Sequence, residues 1–341
     1  MTLHPIKPIY VGIDLGTANT IIIDKERVRL QEPSIVAFRS SDTSLVAVGQ
    51  QALAMHEKTP AFFKTIKPLK DGVIADFSSA QQMLRGFVEK TTLTKHRFGK
   101  KIFLICIPFD TTEVEKRAVH DSAQGAGADE VWLIFEPIAA AIGIGLDIFK
   151  PQGQMLIDIG GGTTEVAILS MAAVVRNQSL RLGGNTFDKE IVEGVRRQFN
   201  LLISERMAER VKKEVGSAVH HLDGNISKKM QLTGRDLANG LPRAIEISHC
   251  EVATYLDRSL AQIERSIVKT LEQCPPELSG DIFQTGITLT GGGALLHGMV
   301  QRIQQKVQIP VRITPEPLLS VMRGIHHTLQ LLPQIPPYIF K

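Results

Sequence analysis

Two short segments of this 341-residue chain carry the groups that a nucleoside triphosphate and its metal would need. The first is Asp14-Leu15-Gly16-Thr17-Ala18-Asn19-Thr20, and the second is Asp158-Ile159-Gly160-Gly161-Gly162-Thr163-Thr164. Phosphate oxygens need backbone N–H groups at close range, and glycine permits that approach because it has no Cβ. A hydrated Mg²⁺ needs carboxylates, which usually hold it through water. Gly16 and Thr17 can supply the backbone donors from one segment and Gly160 to Thr164 from the other, with Asp14 and Asp158 as the carboxylates. A lone Asp-x-Gly-Thr is usually an ordinary turn. Two copies in matched strand contexts, a domain length apart, reverse that balance and give a two-sided nucleotide clamp. A third cluster, Gly291-Gly292-Gly293 before Ala294, adds a strand-to-helix turn of the kind that favours anions, and alone it is weak evidence. The chain has neither a Walker A loop nor a GxGxxG fingerprint.

The elements that must position these loops are legible from periodicity. Ile9 to Ile13 and Ile21 to Ile23 flank the first loop as a β-hairpin, and Gln154 to Ile157 and Glu165 to Leu169 flank the second. Short strands are predicted at Ser34 to Phe38 and Leu45 to Val48, and buried strands at Lys101 to Ile107 and Val131 to Phe135. Thr112 and Glu115 have capping-box spacing for a helix to about Gly125. Pro137 suits the first turn of an Ala-rich helix. Thr186 is the expected cap of a helix whose apolar face is Phe187, Ile191, Val195 and Phe199, and Ser204 caps the next, through Val215. Strand Ile287 to Leu289 precedes the third glycine cluster, and a helix is expected from Ala294 to Val307. Alternating strands and helices make the class α/β.

The bulk composition sets limits on function. With 43% hydrophobic and 22% charged residues the chain is an ordinary globular protein, and 341 residues suffice for two well-filled domains. A formal charge of +4 is too small to imply nucleic acid, and no nucleic-acid partner is expected. Cys106, Cys250 and Cys274 show no metal spacing and are expected to be buried free thiols of a reducing cytoplasm. No apolar run reaches the roughly 18 residues of a membrane span.

These segments, in this order, resemble the actin/Hsp70/sugar-kinase superfamily, and within it the MreB family of bacterial actin-like cell-shape proteins. The resemblance runs from about Tyr10 to Leu329. It rests on the two Asp-x-Gly loops, Glu32-Pro33-Ser34, Lys70 to Asp76, Ser122 to Gly127, and Glu136-Pro137 before Ala139 to Ile142. It rests also on Gly234 to Leu237, Pro275 to Leu278 and Leu289 to Leu296. It implies an actin-like, ribonuclease H-like duplicated fold, with two similar domains around a nucleotide cleft, each with a smaller subdomain. The domains are expected at residues 1–150, with the small part at about 31–75, and at 151–341, with the small part at about 186–250 and an irregular tail at 331–341.

The resemblance also carries roles over. Glu136 matches the acid that orients the attacking water, and Thr163 a hydroxyl that supports the same water. Asp14, Gly16, Thr17, Ala18, Asn19, Asp158, Gly160, Gly161, Gly162 and Thr163 match the phosphate and Mg²⁺ contacts. Gly183, Gly184, Asn185, Gly291, Gly292, Gly293 and Ala294 match backbone walls around the nucleotide, and Glu209 with Lys212 the pair reaching ribose and base. From the residues alone, Glu136 could serve only the helix dipole, and Glu209 and Lys212 read as exposed helix charges. Three positions depart from the family pattern. Phe135 stands where a second acid is usual, Asn185 stands in place of Asp, and Ile325-His326-His327 replaces small residues after Gly324. Adjacent histidines without further ligands do not make a metal site.

ATP with Mg²⁺, hydrolysis coupled to self-assembly into filaments, and a cytoplasmic location at the inner face of the membrane are what the resemblance implies. Cell-wall elongation proteins are the implied partners. Residues 1–8 hold two prolines and no helical stripe, so the expected membrane contact is Leu93 and Phe98 within the basic stretch Thr91 to Lys101, facing anionic lipid. A solvated basic loop is an equal reading of that stretch. Rival readings are a filament for plasmid or organelle positioning, a small-molecule kinase, and an Hsp70-like ATPase. No sugar-pocket segment supports the kinase.

Overall fold

The β-branched runs of the sequence become strands, and the polar Gly-containing stretches between them become their turns. In the computed structural model, residues 8–56, 58, 62–91, 99–222, 227–332 and 340 are described. The chain opens with strands β1 (Ile9–Leu15), β2 (Asn19–Ile23), β3 (Val28–Pro33), β4 (Val36–Arg39) and β5 (Leu45–Val48) and helix α1 (Gln50–Met55). There follow β6 (Phe63–Ile66), β7 (Leu69–Lys70), β8 (Val73–Ile74), α2 (Phe77–Lys90), β9 (Lys101–Ile107), α3 (Glu113–Gly125), β10 (Glu130–Phe135) and α4 (Glu136–Gly143). The next elements are β11 (Gln154–Ile159), β12 (Thr164–Ser170), β13 (Ala173–Leu180), α5 (Gly184–Phe199), β14 (Leu201–Leu202) and α6 (Glu205–Val215). The chain continues through β15 (Lys229–Asp236), β16 (Pro242–Ser248), α7 (His249–Glu272), α8 (Pro276–Thr285) and β17 (Ile287–Thr290), then α9 (Met299–Val307), β18 (Val311–Ile313) and α10 (Ser320–Leu331).

These elements form two compact units. The first comprises residues 1–150, 171–173 and 319–341, and the second 151–170 and 174–318. The helix α10, at the far end of the sequence, therefore joins the first unit, where it packs on α4, β1 and β9. Each unit is built on a five-stranded sheet of one topology: β3-β2-β1-β9-β10 in the first, β13-β12-β11-β17-β18 in the second. In each, the strand that carries the loop aspartate pairs antiparallel with its hairpin partner, β1 with β2 and β11 with β12. On its other side it pairs parallel with a strand from much later in the chain, β1 with β9 and β11 with β17. The sequence repeat is thus a structural repeat. The fold is actin-like.

Each unit also carries a smaller sheet. In the first, β5-β4-β6 packs α1 over Ile35, Ala37, Ala47 and Ala52, and in the second β14-β15-β16 pairs as an antiparallel set. The core of the second unit joins Ile157, Val166 and Leu289 from the sheet to Phe187, Ile191 and Val195 of α5 and Val211 of α6.

Several caps are as the sequence predicts. Thr112 and Glu115 form the capping box of α3, and Ser204 caps α6. Two helix starts differ. The helix α5 begins at Gly184, capped by Gly183 rather than Thr186, because the first N–H groups of α5 are taken by the second glycine loop. The helix expected from Ala294 breaks into a 3-10 turn, Gly292–Leu295, and α9 from Met299, with Gly298 in the left-handed region at φ 74° between them. Of the cysteines, Cys106 is buried while Cys250 and Cys274 are half-buried, all three as free thiols.

The seam between α4 and α10 is drawn tight by glycine. A Cβ on Gly324 would lie 1.7 Å from the Ala139 carbonyl oxygen, and one on Gly143 would lie 1.9 Å from that of Ser320. Ile325 fits because β1 has a glycine beneath it: a Cβ on Gly12 would sit 2.4 Å from Ile325 Cγ2. Gly324→Ala should therefore cost about 1–3 kcal/mol by forcing backbone apart. Gly280→Ala on α8, where a Cβ meets nothing within 4 Å, should instead gain up to about 1 kcal/mol from helix propensity. Urea denaturation of both variants checks the contrast, and equal effects would contradict it.

Candidate functional site

In the first unit, Asp14 is the penultimate residue of β1 and the turn Gly16 to Ala18 leads into β2. A Cβ on Gly16 would stand 2.7 Å from the Asn19 carbonyl oxygen, so the turn closes too tightly for a side chain. Ser34 and Gly72 brace this loop from two sides. Ser34 Oγ donates to the Gly16 carbonyl at 2.6 Å and lies 2.9 Å from Thr20 Oγ1, and its N–H donates to the Ala18 carbonyl at 3.0 Å. The Gly72 N–H donates to Thr17 Oγ1 at 2.9 Å. Asp71 and Gly72, with φ of 51° and 80°, turn β7 into β8. The Thr17 hydroxyl is thereby oriented, and its own proton stays available to an acceptor.

Sequence reasoning gave neither brace a task. The Asp71-Gly72 dipeptide is a standard hairpin signal and could have located the turn, though not its contact with Thr17. Nothing in the sequence marks Ser34 as the loop's partner.

Glu136 is the first residue of α4, directly after the end of β10, with Pro137 in the first turn. Ala139, Ala140 and Ala141 behind it are fully buried, so the helix that carries Glu136 has no room to shift. Phe135 fills the departure noted in the sequence by packing its ring 4.7 Å from that of Phe109.

In the second unit, backbone meets backbone. The Gly160 N–H donates to the Thr163 carbonyl at 2.8 Å, closing the loop on itself. The carbonyls of Gly160 and Gly161 accept from the N–H groups of Gly184 and Asn185, at 2.9 and 2.8 Å. A Cβ on Gly183 would lie 2.6 Å from the Gly160 carbonyl oxygen. On the other side, Gly291 has φ 80°, and a Cβ there would stand 2.3 Å from Asp158 Oδ1. A Cβ on Gly293 would lie 2.2 Å from Ile159 Cγ2. Asp158, the loop Gly160 to Thr163, Gly183 to Asn185 and Gly291 to Gly293 therefore form one backbone-lined site. Lys212 joins it from α6: its Nζ donates to the Gly184 carbonyl at 2.9 Å and pairs with Asp188 at 2.8 Å. Burial pushes the Asp188 carboxyl up, and the Lys212 ammonium opposes that shift. Glu209, one turn earlier, lies on the exposed face of α6, 2.7 Å from Lys213.

Ala18 and Asn19 are at the exposed crest of the first loop. Leu93 and Phe98 are outside the described residues. His326 has its Nε2 3.0 Å from the Lys25 carbonyl, and among the described residues no cluster of three His, Cys, Asp or Glu could hold a metal ion.

A duplicated sheet whose matching strands each end in an Asp-x-Gly loop defines the actin-like nucleotide-binding class. The family model described as MreB/Mbl protein matches residues 9–335. The cell shape-determining protein MreB of Escherichia coli (strain K12) is 44% identical over 327 residues, covering 94% of this chain and 93% of that protein. The cell shape-determining protein Mbl of Bacillus subtilis (strain 168) is 40% identical, covering 96% and 97%. Among solved structures, MreB5 of Spiroplasma citri bound to ADP superposes with a TM-score of 0.89 at 35% identity, covering 95% of this chain and 97% of that one. A MamK double helical filament has a TM-score of 0.79 at 20% identity and shares the fold. The chain belongs to the MreB/Mbl family.

Loss of water pushes the Asp14 carboxyl from 3.8 up to about 6. The folded protein thus holds this proton where the unfolded chain has released it. The contribution of Asp14 to stability falls as pH rises from about 4 to about 6, and is flat above. Asp14→Asn should then stabilise the nucleotide-free protein by about 3 kcal/mol at pH 7.5, the size of a shift of that extent. The gain should vanish near pH 4. Thermal melts of both proteins across this range test it, and a variant less stable at pH 7.5 would refute the desolvation account.

Proposed function

We propose that this chain is an ATP-binding and ATP-hydrolysing subunit of an actin-like filament that organises cell shape and cell-wall elongation at the inner face of the membrane. The observation that carries the reading is the paired Asp-x-Gly loops, the second of them packed so closely by Gly183 and Gly291 that a Cβ at either would meet the loop's own backbone or the Asp158 carboxylate. Relatives that are 40–44% identical bear the name cell shape-determining protein, and the 35% identical MreB5 binds ADP and AMPPNP according to its structures.

In this reading ATP is the ligand of both loops. Family membership implies phosphate contacts for the backbone N–H groups of Gly16 to Asn19 and of Gly160 to Thr163, sugar and base contacts for Gly183 to Asn185, Lys212 and Glu209, and nucleotide contacts for Gly291 to Ala294. Asp14 and Asp158 suit a hydrated Mg²⁺: they are the carboxylates at the two loops, and burial makes a bare charge on Asp14 costly, which a cation would offset. The ion's chemistry there is neutralisation of phosphate charge. Glu136 holds the attacking water through its carboxylate, and the Thr163 hydroxyl supports the same water. Subunits that repeat a heterologous contact that does not close build a filament, and the state of the nucleotide biases the subunit's shape. Leu93 and Phe98, among basic residues, supply the lipid contact.

Two experiments test this reading. Glu136→Ala should keep ATP binding, measured by calorimetry, while lowering phosphate release by roughly a hundredfold or more. Wild-type protein should pellet with ATP and show filaments by electron microscopy, and Leu93→Glu with Phe98→Glu should abolish co-sedimentation with anionic liposomes. A chain that stays monomeric under every nucleotide and lipid condition would overturn the filament reading. Unchanged liposome binding would remove the loop as anchor.

A further inference from the structure

The strand β12 sets a second carboxylate beside the loop aspartate of the second unit. In the antiparallel register of β11 with β12, Asp158 pairs with Glu165. Residues directly opposite each other in such a pair project from one face of the sheet, their Cβ atoms about 5 Å apart. Both side chains are withdrawn from water, with Asp158 8% exposed and Glu165 1%. A carboxylate buried this deeply in a sheet persists only where its oxygens are satisfied. Residues of β13 satisfy them. Asn177 Nδ2 donates to Glu165 Oε2 at 2.8 Å, and Ser179 Oγ donates to Glu165 Oε1 at 2.7 Å.

Packing alone gives no reason for an acid at position 165. The next pair on the same face, Leu156 with Ala167, is apolar and buried. Like charges directly opposite each other on a sheet repel, so the pairing of Asp158 with Glu165 weakens the bare sheet. The surroundings are also rich in acceptors: Asn177 Oδ1 is buried and takes no hydrogen bond among the described residues. Negative charge and spare acceptors gathered at one strand end are offset by a hydrated divalent cation close by, whose charge and water protons meet both. On the β17 side Asp158 is confined, since a Cβ on Gly291 would stand 2.3 Å from its Oδ1. Asp158 therefore has backbone against one flank and the Glu165 carboxylate on the other.

We propose that Glu165 is a positioning residue for Asp158. Fixed by Asn177 and Ser179, its carboxylate holds the Asp158 side chain against Gly291 and adds a second negative charge behind the one that Asp158 presents. The class of ligand this serves is a divalent cation carried by a nucleoside triphosphate. The inference rests on the reading of Asp158 as a carboxylate for the hydrated metal of ATP. Groups that stand behind a metal's carboxylates orient them, and losing one typically weakens metal binding by about 10–100-fold.

The test separates the metal's share of nucleotide binding from the rest. Affinity for AMPPNP is measured by calorimetry in excess Mg²⁺ and in EDTA, for the full chain, Glu165→Gln and Ser179→Ala. Circular dichroism and thermal melting establish that each is folded. The unaltered protein should bind more tightly with Mg²⁺. Glu165→Gln keeps the side chain's size and removes its charge, so it should lose about tenfold of that Mg²⁺-dependent gain while its affinity in EDTA holds or rises. Ser179→Ala frees one Glu165 oxygen and leaves the charge in place. It should shift the gain in the same direction by a smaller factor, and it carries the test if Glu165→Gln does not fold. An undiminished Mg²⁺-dependent gain in the folded variants overturns the proposal and leaves the nucleotide reading standing. Equal weakening with and without Mg²⁺ also overturns it, because a purely structural Glu165 would act that way. An unaltered protein whose AMPPNP affinity ignores Mg²⁺ overturns the metal role of Asp158 and the proposal with it.

Discussion

The carbonyls of Gly160 and Gly161 accept the N–H groups of Gly184 and Asn185, and the second unit's site depends on this seam of backbone against backbone. The seam fixes where α5 begins and draws its first turn over the loop. The start of α5 in turn sets Asp188, and through it Lys212 on α6, whose ammonium ties both to the Gly184 carbonyl. Gly291 closes the other flank against Asp158 with a left-handed backbone that only glycine adopts freely. A side chain at Gly183 or Gly291 would clash with backbone or with the carboxylate itself, so the composition of the site follows from its spacing. A loop anchored by main-chain hydrogen bonds keeps its remaining N–H groups aimed, which is what binding an anion requires.

The first unit reaches the same end by other means. Its loop is shorter and is held by side chains: Ser34 under Gly16 and Ala18, and Thr17 under Gly72. Its helix α4 is then fixed from behind by α10, where glycines let backbones approach to distances that no Cβ would allow. Glu136 consequently projects from a helix end that is buried along most of its length.

Much of this was legible in the chain. The repeated loop, its flanking strands, the capping box of α3 and the Ser204 cap of α6 are local patterns, and each formed where the residues predicted it, because hairpin turns and helix caps are decided within a few residues. The helix starts at Gly184 and Met299 were not legible. At both places glycine takes a conformation set by contacts from elsewhere in the unit, and those contacts outweigh the local signal of Thr186 or Ala294. Ser34 and Gly72 were missed for the same reason: their partners lie 18 and 55 residues away. Ile325 looked anomalous beside the family pattern, and is explained by the space above Gly12 on a strand more than 300 residues earlier.

By itself the sequence determined that there are two Asp-x-Gly loops, that each sits on a hairpin, and that the chain resembles the MreB family. Those features are short-range, and the residues that make them are contiguous. Only the tertiary structure decided that the two five-stranded sheets share one topology and that the end of the chain, through α10 and Phe340, completes the first unit. Parallel pairing of β1 with β9 and of β11 with β17 joins strands separated by whole helices, and no local pattern encodes which strands meet. That choice belongs to the burial of both sheet faces at once, which exists only when the whole unit is assembled.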